Sequence, residues 1–178
     1  MKNLKQYMTE KLKITKDNIG YDYKYFPKTK KELQELLKQL IEERGLEGDF
    51  NDIDTSNITD MSWLFYESKF NGDISNWDVS NVKNMQFMFK SCISFNQTLN
   101  DWNVSNVINM EEMFRYCAAF NKPLNNWDVT KVTNMDTMFY GCKSFNQDIS
   151  NWNVSNTKSR YDSVFYNCSI EKKYAPKI

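Results

Sequence analysis

Apolar positions along this chain obey two periods, a long one between units and a short one inside each unit. Trp77, Trp102, Trp127 and Trp152 stand 25 residues apart, each within the phrase W-[DN]-V-[ST]. Phe70, Phe95, Phe120 and Phe145 keep the same interval, each followed by an asparagine (Asn71, Asn96, Asn121, Asn146). Phe65, Phe89, Phe114, Phe139 and Phe165 step by 24, 25, 25 and 26. A fixed period of roughly 20 to 50 residues signals a stacked array whose units bury their apolar sides only against their neighbours. Such an array offers a surface rather than a pocket.

Within one unit, residues 130–154, the spacing shortens. Val132, Met135, Met138, Phe139 and Cys142 recur at three or four residues, the period of a helix. Thr130, Thr133 and Asn134 are residue types that cap a helix start, and Gly141 falls near its end. The spacing predicts a helix of about two turns, too short to be stable without packing. Phe145, Ile149 and Trp152 then occupy a polar stretch suited to one extended strand, and Val154 begins the turn into the next unit. The expected fold is α/β: a solenoid of 25-residue coils, each a strand plus a short helix, with the strands aligned in parallel at about 4.8 Å.

Equivalent side chains then form ladders. Met85/Met110/Met135, Met88/Met113/Met138 and the Phe89 series are expected in the core, where Met fills irregular space without implying a cofactor. The Asn71/Asn96/Asn121/Asn146 series is expected to bond backbone groups of the adjacent coil. The Trp series has two readings. Strict strand alternation sends Trp152 to the face opposite Ile149, giving an exposed aromatic stripe, whereas a kink folds the indole inward; we favour the core. Cys92, Cys117, Cys142 and Cys168 occupy one position in four coils, so they lie in a line, which cannot become a tetrahedral zinc site. Neighbours about 8–10 Å apart lie beyond disulfide reach. Buried free thiols are expected, as suits a reducing compartment.

An open stack needs caps. Residues 1–49 read as the N-terminal one. Leu4, Tyr7, Met8, Lys11 and Leu12 suggest a first helix, and Tyr21, Tyr23 and Tyr25 a strand-like run. Thr29-Lys-Lys-Glu32 is a capping-box signature, followed by Leu33, Leu36, Leu37, Leu40 and Ile41 on one face until Gly45. This second helix is expected to cover the first coil, which begins near Phe50, Ile53, Ile58 and Met61. The array proper spans residues 50–170 in about five coils. It decays at its end, where Arg160 replaces the expected Met and no Trp follows Cys168, leaving 171–178 as a polar tail.

Composition narrows the function. The 178 residues carry 23 basic and 23 acidic groups. Residues 50–159 hold 8 basic and 12 acidic ones, so the array has the wrong sign for displacing counterions from nucleic acid. The chain has no His, which removes His-based nucleophile pairs and metal sites. Its five glycines never form a phosphate-binding loop. The basic residues near Met1 have no apolar run behind them, so neither a secretory leader nor a membrane span is read, and a cytosolic location is expected.

The phrases DISNWDVSNV (73–82), MFYGCKSFNQDISNW (138–152) and NWNVSN (151–156) resemble the BspA-like leucine-rich-repeat proteins, in the 25-residue repeat type abundant in mycoplasmas and gut anaerobes. The segment FPKTKKELQELLKQLIEERG (26–45) resembles the leader before such repeats. The resemblance implies a leucine-rich-repeat-like solenoid. Long secreted members are associated with adhesion to host proteins; this chain departs from them in being short and in that no secretory signal is read in it.

The function expected is a non-catalytic protein–protein interaction module, a monomer favoured over an oligomer that the residues leave open, with no cofactor, metal, nucleic acid or membrane. Its strand face would present laddered polar residues: Asp73/Thr98/Pro123/Asp148, Ser75/Asn100/Asn125/Ser150 and Asn76/Asp101/Asn126/Asn151. These vary between units more than the core ladders do. Anchors for affinity would be Arg115 and Tyr116, or the Trp series if exposed. The bland alternative is that these residues only keep the stack soluble. An enzyme using acidic pairs such as Glu111–Glu112 or Asp52–Asp54 is disfavoured because the pairs differ between units and lack a nucleophile. Two narrower alternatives are a phage- or mobile-element-encoded inhibitor of a host protein and an adhesin exported by another route.

Overall fold

The computed structural model describes residues 22–177. The expected helix around Leu4–Leu12, and Tyr21, lie outside them. One long helix forms, α1 (Lys30–Arg44). Its start follows the sequence signature: Thr29 Oγ1 accepts from the Glu32 amide at 3.2 Å, and Glu32 Oε2 in turn accepts from the Lys28 amide at 2.7 Å. Gly45 closes it with φ 78°, a conformation that costs glycine little. Leu33, Leu36, Leu37 and Leu40 are buried and join the same core as Phe50 and Ile53 of the first coil. Arg44 pins the helix end, its two amino groups gripping Asp52 at 2.7 and 2.9 Å. Lys30 at the other end reaches Ser62 and Asp60 at 2.6 and 3.2 Å. Tyr25, from the strand-like run, makes a single parallel bridge to Ile53.

The coils after α1 stack in register, but the α/β reading of them is wrong. They contain neither strand nor repeated helix, so the leucine-rich-repeat-like solenoid of strand-plus-helix coils is overturned. Parallel contacts appear only as isolated bridges, among them Asp60–Asn84, Asn84–Asn109 and Asn109–Asn134. Each coil is instead a succession of tight turns. Asn134, expected as a helix cap, bends the chain locally instead, as do its like elsewhere: the side-chain oxygens of Asp54, Asp60, Asp73, Asp78, Asn84, Asn109 and Asn134 each accept the amide two residues on, at 2.8–3.1 Å. Such Asx turns compete directly with helix and sheet bonding. Four-residue β-turns follow one another as well, Met88 to Met85 and Cys92 to Phe89 for example. They bring apolar side chains inward at a three-to-four spacing, which imitates a helix in the sequence.

The backbone bonds that a helix would make internally run between coils. Met61, Trp63, Phe65 and Glu67 donate their amides to the carbonyls of Asn84, Gln86, Met88 and Lys90 at 2.8–3.0 Å. Met85, Phe87, Phe89 and Ser91 repeat this onto Asn109, Glu111, Met113 and Arg115, and Met110, Glu112, Phe114 and Tyr116 onto Asn134, Asp136, Met138 and Tyr140. Every donor in this ladder points toward the following coil. The last coil ends the sequence of donors by folding residues 161–164 into α2 (Tyr161–Val164), whose amides bond within the turn: Val164 to Arg160 and Phe165 to Tyr161, both at 3.0 Å.

The interior is a double column of phenylalanines. Phe65, Phe89, Phe114, Phe139 and Phe165 stack at 5.4–5.7 Å between ring centres, and Phe70, Phe95, Phe120 and Phe145 run beside them. The four in-register indoles turn inward, at most 5% exposed, and each Nε1 donates to a carbonyl of the preceding coil: Phe50, Ile74, Leu99 and Leu124 at 2.8–3.1 Å. The turn geometry supplies the kink that a straight strand would not. The Asn ladder bonds between coils as expected, Asn71, Asn96 and Asn121 each accepting the amide 25 residues on at 2.9–3.0 Å. Cys92, Cys117 and Cys142 are free and buried, each Sγ 2.8–2.9 Å from a carbonyl of the preceding coil. Burial pushes the Cys92 thiol up to about 12.

Phe114→Ala removes a ring that contacts Phe89, Phe120 and Phe139, and should lower stability by about 3–5 kcal/mol in denaturant melts. Acid should act through Asp52. Burial alone would raise its carboxyl, but Arg44 and Lys24 hold it below the ordinary value. A depressed folded-state value contributes stability above the unfolded value near about pH 4, lost as pH falls through the folded one. Denaturant melts from about pH 6 to about pH 2 should show Asp52→Asn with a shallower acid loss than wild type.

Candidate functional site

Of the residues expected to form a strand face, the Ser75/Asn100/Asn125/Ser150 and Asn76/Asp101/Asn126/Asn151 series lie in turns, and of the Asp73/Thr98/Pro123/Asp148 series only Asp73 makes an isolated bridge, to Asp49, so no strand face exists. They do line one side of the stack, and the structure uses many of them for its own bonding. Asp73 Oδ1 accepts from the Ser75 amide at 2.9 Å, and Asp148 Oδ1 from the amide and hydroxyl of Ser150 at 3.0 and 2.7 Å. The Ser150 hydroxyl holds the Asp148 carboxyl below its ordinary value. Asn76 donates its amide to Asn51, Asn126 its amide to Asn100, and Asn151 its side chain to the Asn125 carbonyl, all at 2.8–3.0 Å. Asn100 and Asn125 side chains meet at 3.4 Å. Thr98 and Asp101 are exposed. A shallow depression of about 310 Å³ opens between Pro123, Asn125, Gln147, Asp148, Ser150 and Asn151.

The other two expected residues, Arg115 and Tyr116, stand elsewhere, on a ridge the sequence reading did not assemble. It begins at Trp63, the tryptophan outside the 25-residue series. Trp63 is 45% exposed and stacks on Phe87 at 4.1 Å, with Tyr66 at 4.9 Å. Lys90 lies 5.0 Å from the Phe87 ring and 2.6 Å from Glu112 Oε2. Arg115 bonds the other Glu112 oxygen at 3.0 Å and sits 5.1 and 4.8 Å from the rings of Tyr116 and Tyr140. Tyr116 meets Tyr140 edge-on at 5.3 Å, and Tyr140 stacks on Tyr166, itself 60% exposed. Arg115 holds the Tyr116 hydroxyl below its ordinary value, and Tyr116 raises that of Tyr140. Two clusters of rings are thus joined through one carboxylate held between two cations.

What positions the ridge is the ladder. For alternate amides to reach the next coil while the chain keeps turning, some residues must take positive φ. Among the described residues eight non-glycines do so: Trp63, Glu67, Phe87, Ser91, Glu112, Tyr116, Thr137 and Asn167, with Gly45 and Gly141 besides. All but Gly45 fall at two offsets within the coil. Side chains there are thrown outward, and those between them (Tyr66, Lys90, Arg115, Tyr140, Tyr166) form the neighbouring column. A residue with a Cβ in this region costs about 1–2 kcal/mol relative to the right-handed one, and for bulky residues it is rare. The available sequence signal was Trp63 standing out of the Trp register, together with the aromatic or basic residue filling one position in all five coils.

Among the described residues no group of three or more acidic or Cys side chains could hold a metal ion, and no helix is long and apolar enough to cross a membrane.

The sequence profile described as Mycoplasma protein of unknown function, DUF285, matches residues 31–125 and 88–175, and the chain belongs to that family. No curated protein and no solved structure matches it.

Gly141 tests how tightly the ridge is built. A Cβ there would lie 2.6 Å from Tyr116 Cδ1, at φ 73°. Gly141→Ala should lower stability by about 1–3 kcal/mol, part from the backbone and part from the ring. In a Tyr116→Ala background the ring part should vanish, so a double-mutant cycle of denaturant melts should give a positive coupling between the two sites.

Proposed function

We propose that this member of the family is a non-catalytic protein-binding module that meets its partner through the ridge from Trp63 to Tyr166. One observation carries this reading: Trp63, Phe87 and Tyr116 place large rings at left-handed positions. The ladder needs that backbone geometry, but Gly141 satisfies it with the residue that adopts it most easily. Aromatic residues there carry a backbone cost that stacking of the coils does not require, and two of them are left partly open to solvent. Strain of this kind accumulates where a side chain has a use. Exposed Trp and Tyr beside Arg are the residue types that dominate contact energies in protein interfaces.

The carboxylate pairs considered for acid–base work are occupied otherwise, which supports a non-catalytic role. Asp52 is gripped by Arg44, and Asp54 accepts the Ser56 amide. Glu111 accepts from Gln86 and Asn134, and Glu112 lies between Lys90 and Arg115. The phrases DISNWDVSNV and MFYGCKSFNQDISNW further support kinship with the BspA-like proteins, whose association with adhesion fits a binding role.

Trp63→Asn with Tyr116→Asn removes both exposed rings while keeping a residue at ease with positive φ. Its unfolding free energy from denaturant melts should match wild type to within about 1 kcal/mol. It should no longer recover from native-host lysate whatever protein the wild type captures. Asn100→Arg with Asn125→Arg, on the polar side, should capture it as before. Full capture by the aromatic variant, or its loss in the polar one alone, would move the interface off the ridge.

A further inference from the structure

The central column of the ridge sets cations against rings until its last step. Lys90 sits 5.7 Å from the Tyr66 ring, and Arg115 lies 4.8 Å from that of Tyr140. Tyr166 comes next and ends the column. Tyr140 stacks on it at 5.1 Å, yet Tyr166 is still 60% exposed. No cation lies over its ring among the described residues.

A row of carboxylates flanks this end of the ridge. The residues just before Phe87, Glu112 and Thr137 are Gln86, Glu111 and Asp136, whose carbonyls accept in the ladder one coil after another. Val164 accepts in the last coil as Met138 does in the coil before, so the row continues at Asp162. Asp162 lies four residues before Tyr166, as Asp136 lies four before Tyr140. Glu111 is bonded by Gln86 and Asn134 at 2.6 and 3.2 Å. Asp136 and Asp162 are exposed and have no ion-pair partner among the described residues. Lys90 and Arg115 are held by Glu112, Lys143 bonds Asn167, and Arg160 forms no ion pair among the described residues. The tyrosine half of the ridge is thus bordered by unpaired negative charge. On the same side the Trp63 half has the neutral Ser62 and Gln86.

We propose that the partner met at the ridge presents a basic, extended segment whose arginine side chains dock on the tyrosine half. One guanidinium lies flat on the exposed ring of Tyr166 and donates to Asp162, and a second donates to Asp136. Arginine suits this place better than lysine, because its planar group stacks on a ring while bonding a carboxylate. Neighbouring coils lie about 4.8 Å apart, and side chains two residues apart on an extended chain about 6.7 Å apart. The length of the arginine side chain absorbs that difference. This inference rests on the ridge being the binding surface and adds the chemistry of what it binds.

A fluorescein-labelled peptide Gly-Arg-Ala-Arg-Gly, titrated against the full chain at low salt and followed by anisotropy, tests it. Binding should saturate. It should weaken about tenfold or more when both arginines become citrulline, which keeps the plane but loses the charge, and about threefold when they become lysine. Asp136→Asn with Asp162→Asn should cost about tenfold and Tyr166→Ala about threefold, each with a wild-type melt. Amide NMR shifts in the wild type should concentrate at residues 136–140 and 161–167. Capture from native-host lysate separates this inference from the reading it rests on. The carboxylate variant should lose the partner, as Trp63→Asn with Tyr116→Asn does. If only the aromatic variant loses it, the ridge stands and the basic partner falls; if neither does, both fall. No saturation at millimolar peptide, equal binding of the citrulline peptide, or shifts elsewhere on the stack would overturn the proposal. So would self-association of the chain that dissolves on Lys172→Glu with Lys177→Glu, which would assign the carboxylates to a second copy.

Discussion

The directional ladder of backbone amides is the constraint on which the rest of this structure depends. Alternate residues from Met61 to Tyr116 send their N–H groups to the coil that follows, so three successive junctions repeat the same four forward bonds, with single amides such as Lys83 and Thr133 returning to the preceding coil. Because buried amides left without partners are costly, each coil must keep the length that holds its donors opposite the next carbonyls. That requirement explains the period near 25, the fixed places of positive φ, and the alignment of Phe over Phe and Cys over Cys. It also explains the two ends. α1 covers the apolar face of the first coil, and α2 closes the last by turning its donors inward.

Stability and recognition are divided between the two sides of each turn. Inward positions are nearly invariant within the chain because each ring packs on its own copy one coil away, and a change there disturbs two neighbours. The indoles, thiols and asparagines add one cross-coil bond apiece, all repeated, so no single one dominates. Outward positions next to the ladder answer only to the backbone angle. The same angle is met by the small or polar residues Glu67, Ser91, Glu112, Thr137 and Gly141. Where a large ring appears, as at Trp63 or Tyr116, another demand has been met at some expense of backbone strain.

The long period was legible because it reports packing between units, which leaves identical residues at identical intervals whatever the local conformation. So Phe114, Met113, Trp127 and Cys117 could be placed in the core, and Thr29, Glu32 and Gly45 at the ends of α1, from residue types and spacing. The conformation inside a coil was not legible. Val132, Met135, Met138 and Cys142 follow helical spacing, yet a chain of tight turns brings side chains inward at nearly the same interval. Asn134 serves equally well to cap a helix or to close an Asx turn.

The sequence by itself therefore determined the register of the stack, the identity of its core and the presence of a helical cap, since each rests on repetition or on contacts local in the chain. Only the tertiary structure decided where the amides go. Their partners lie 23 to 25 residues away, and choosing them over bonds within the coil replaces helix and strand with turns. That choice also throws Trp63, Phe87 and Tyr116 outward into one ridge, an arrangement that follows from no single unit because it arises from how one coil meets the next.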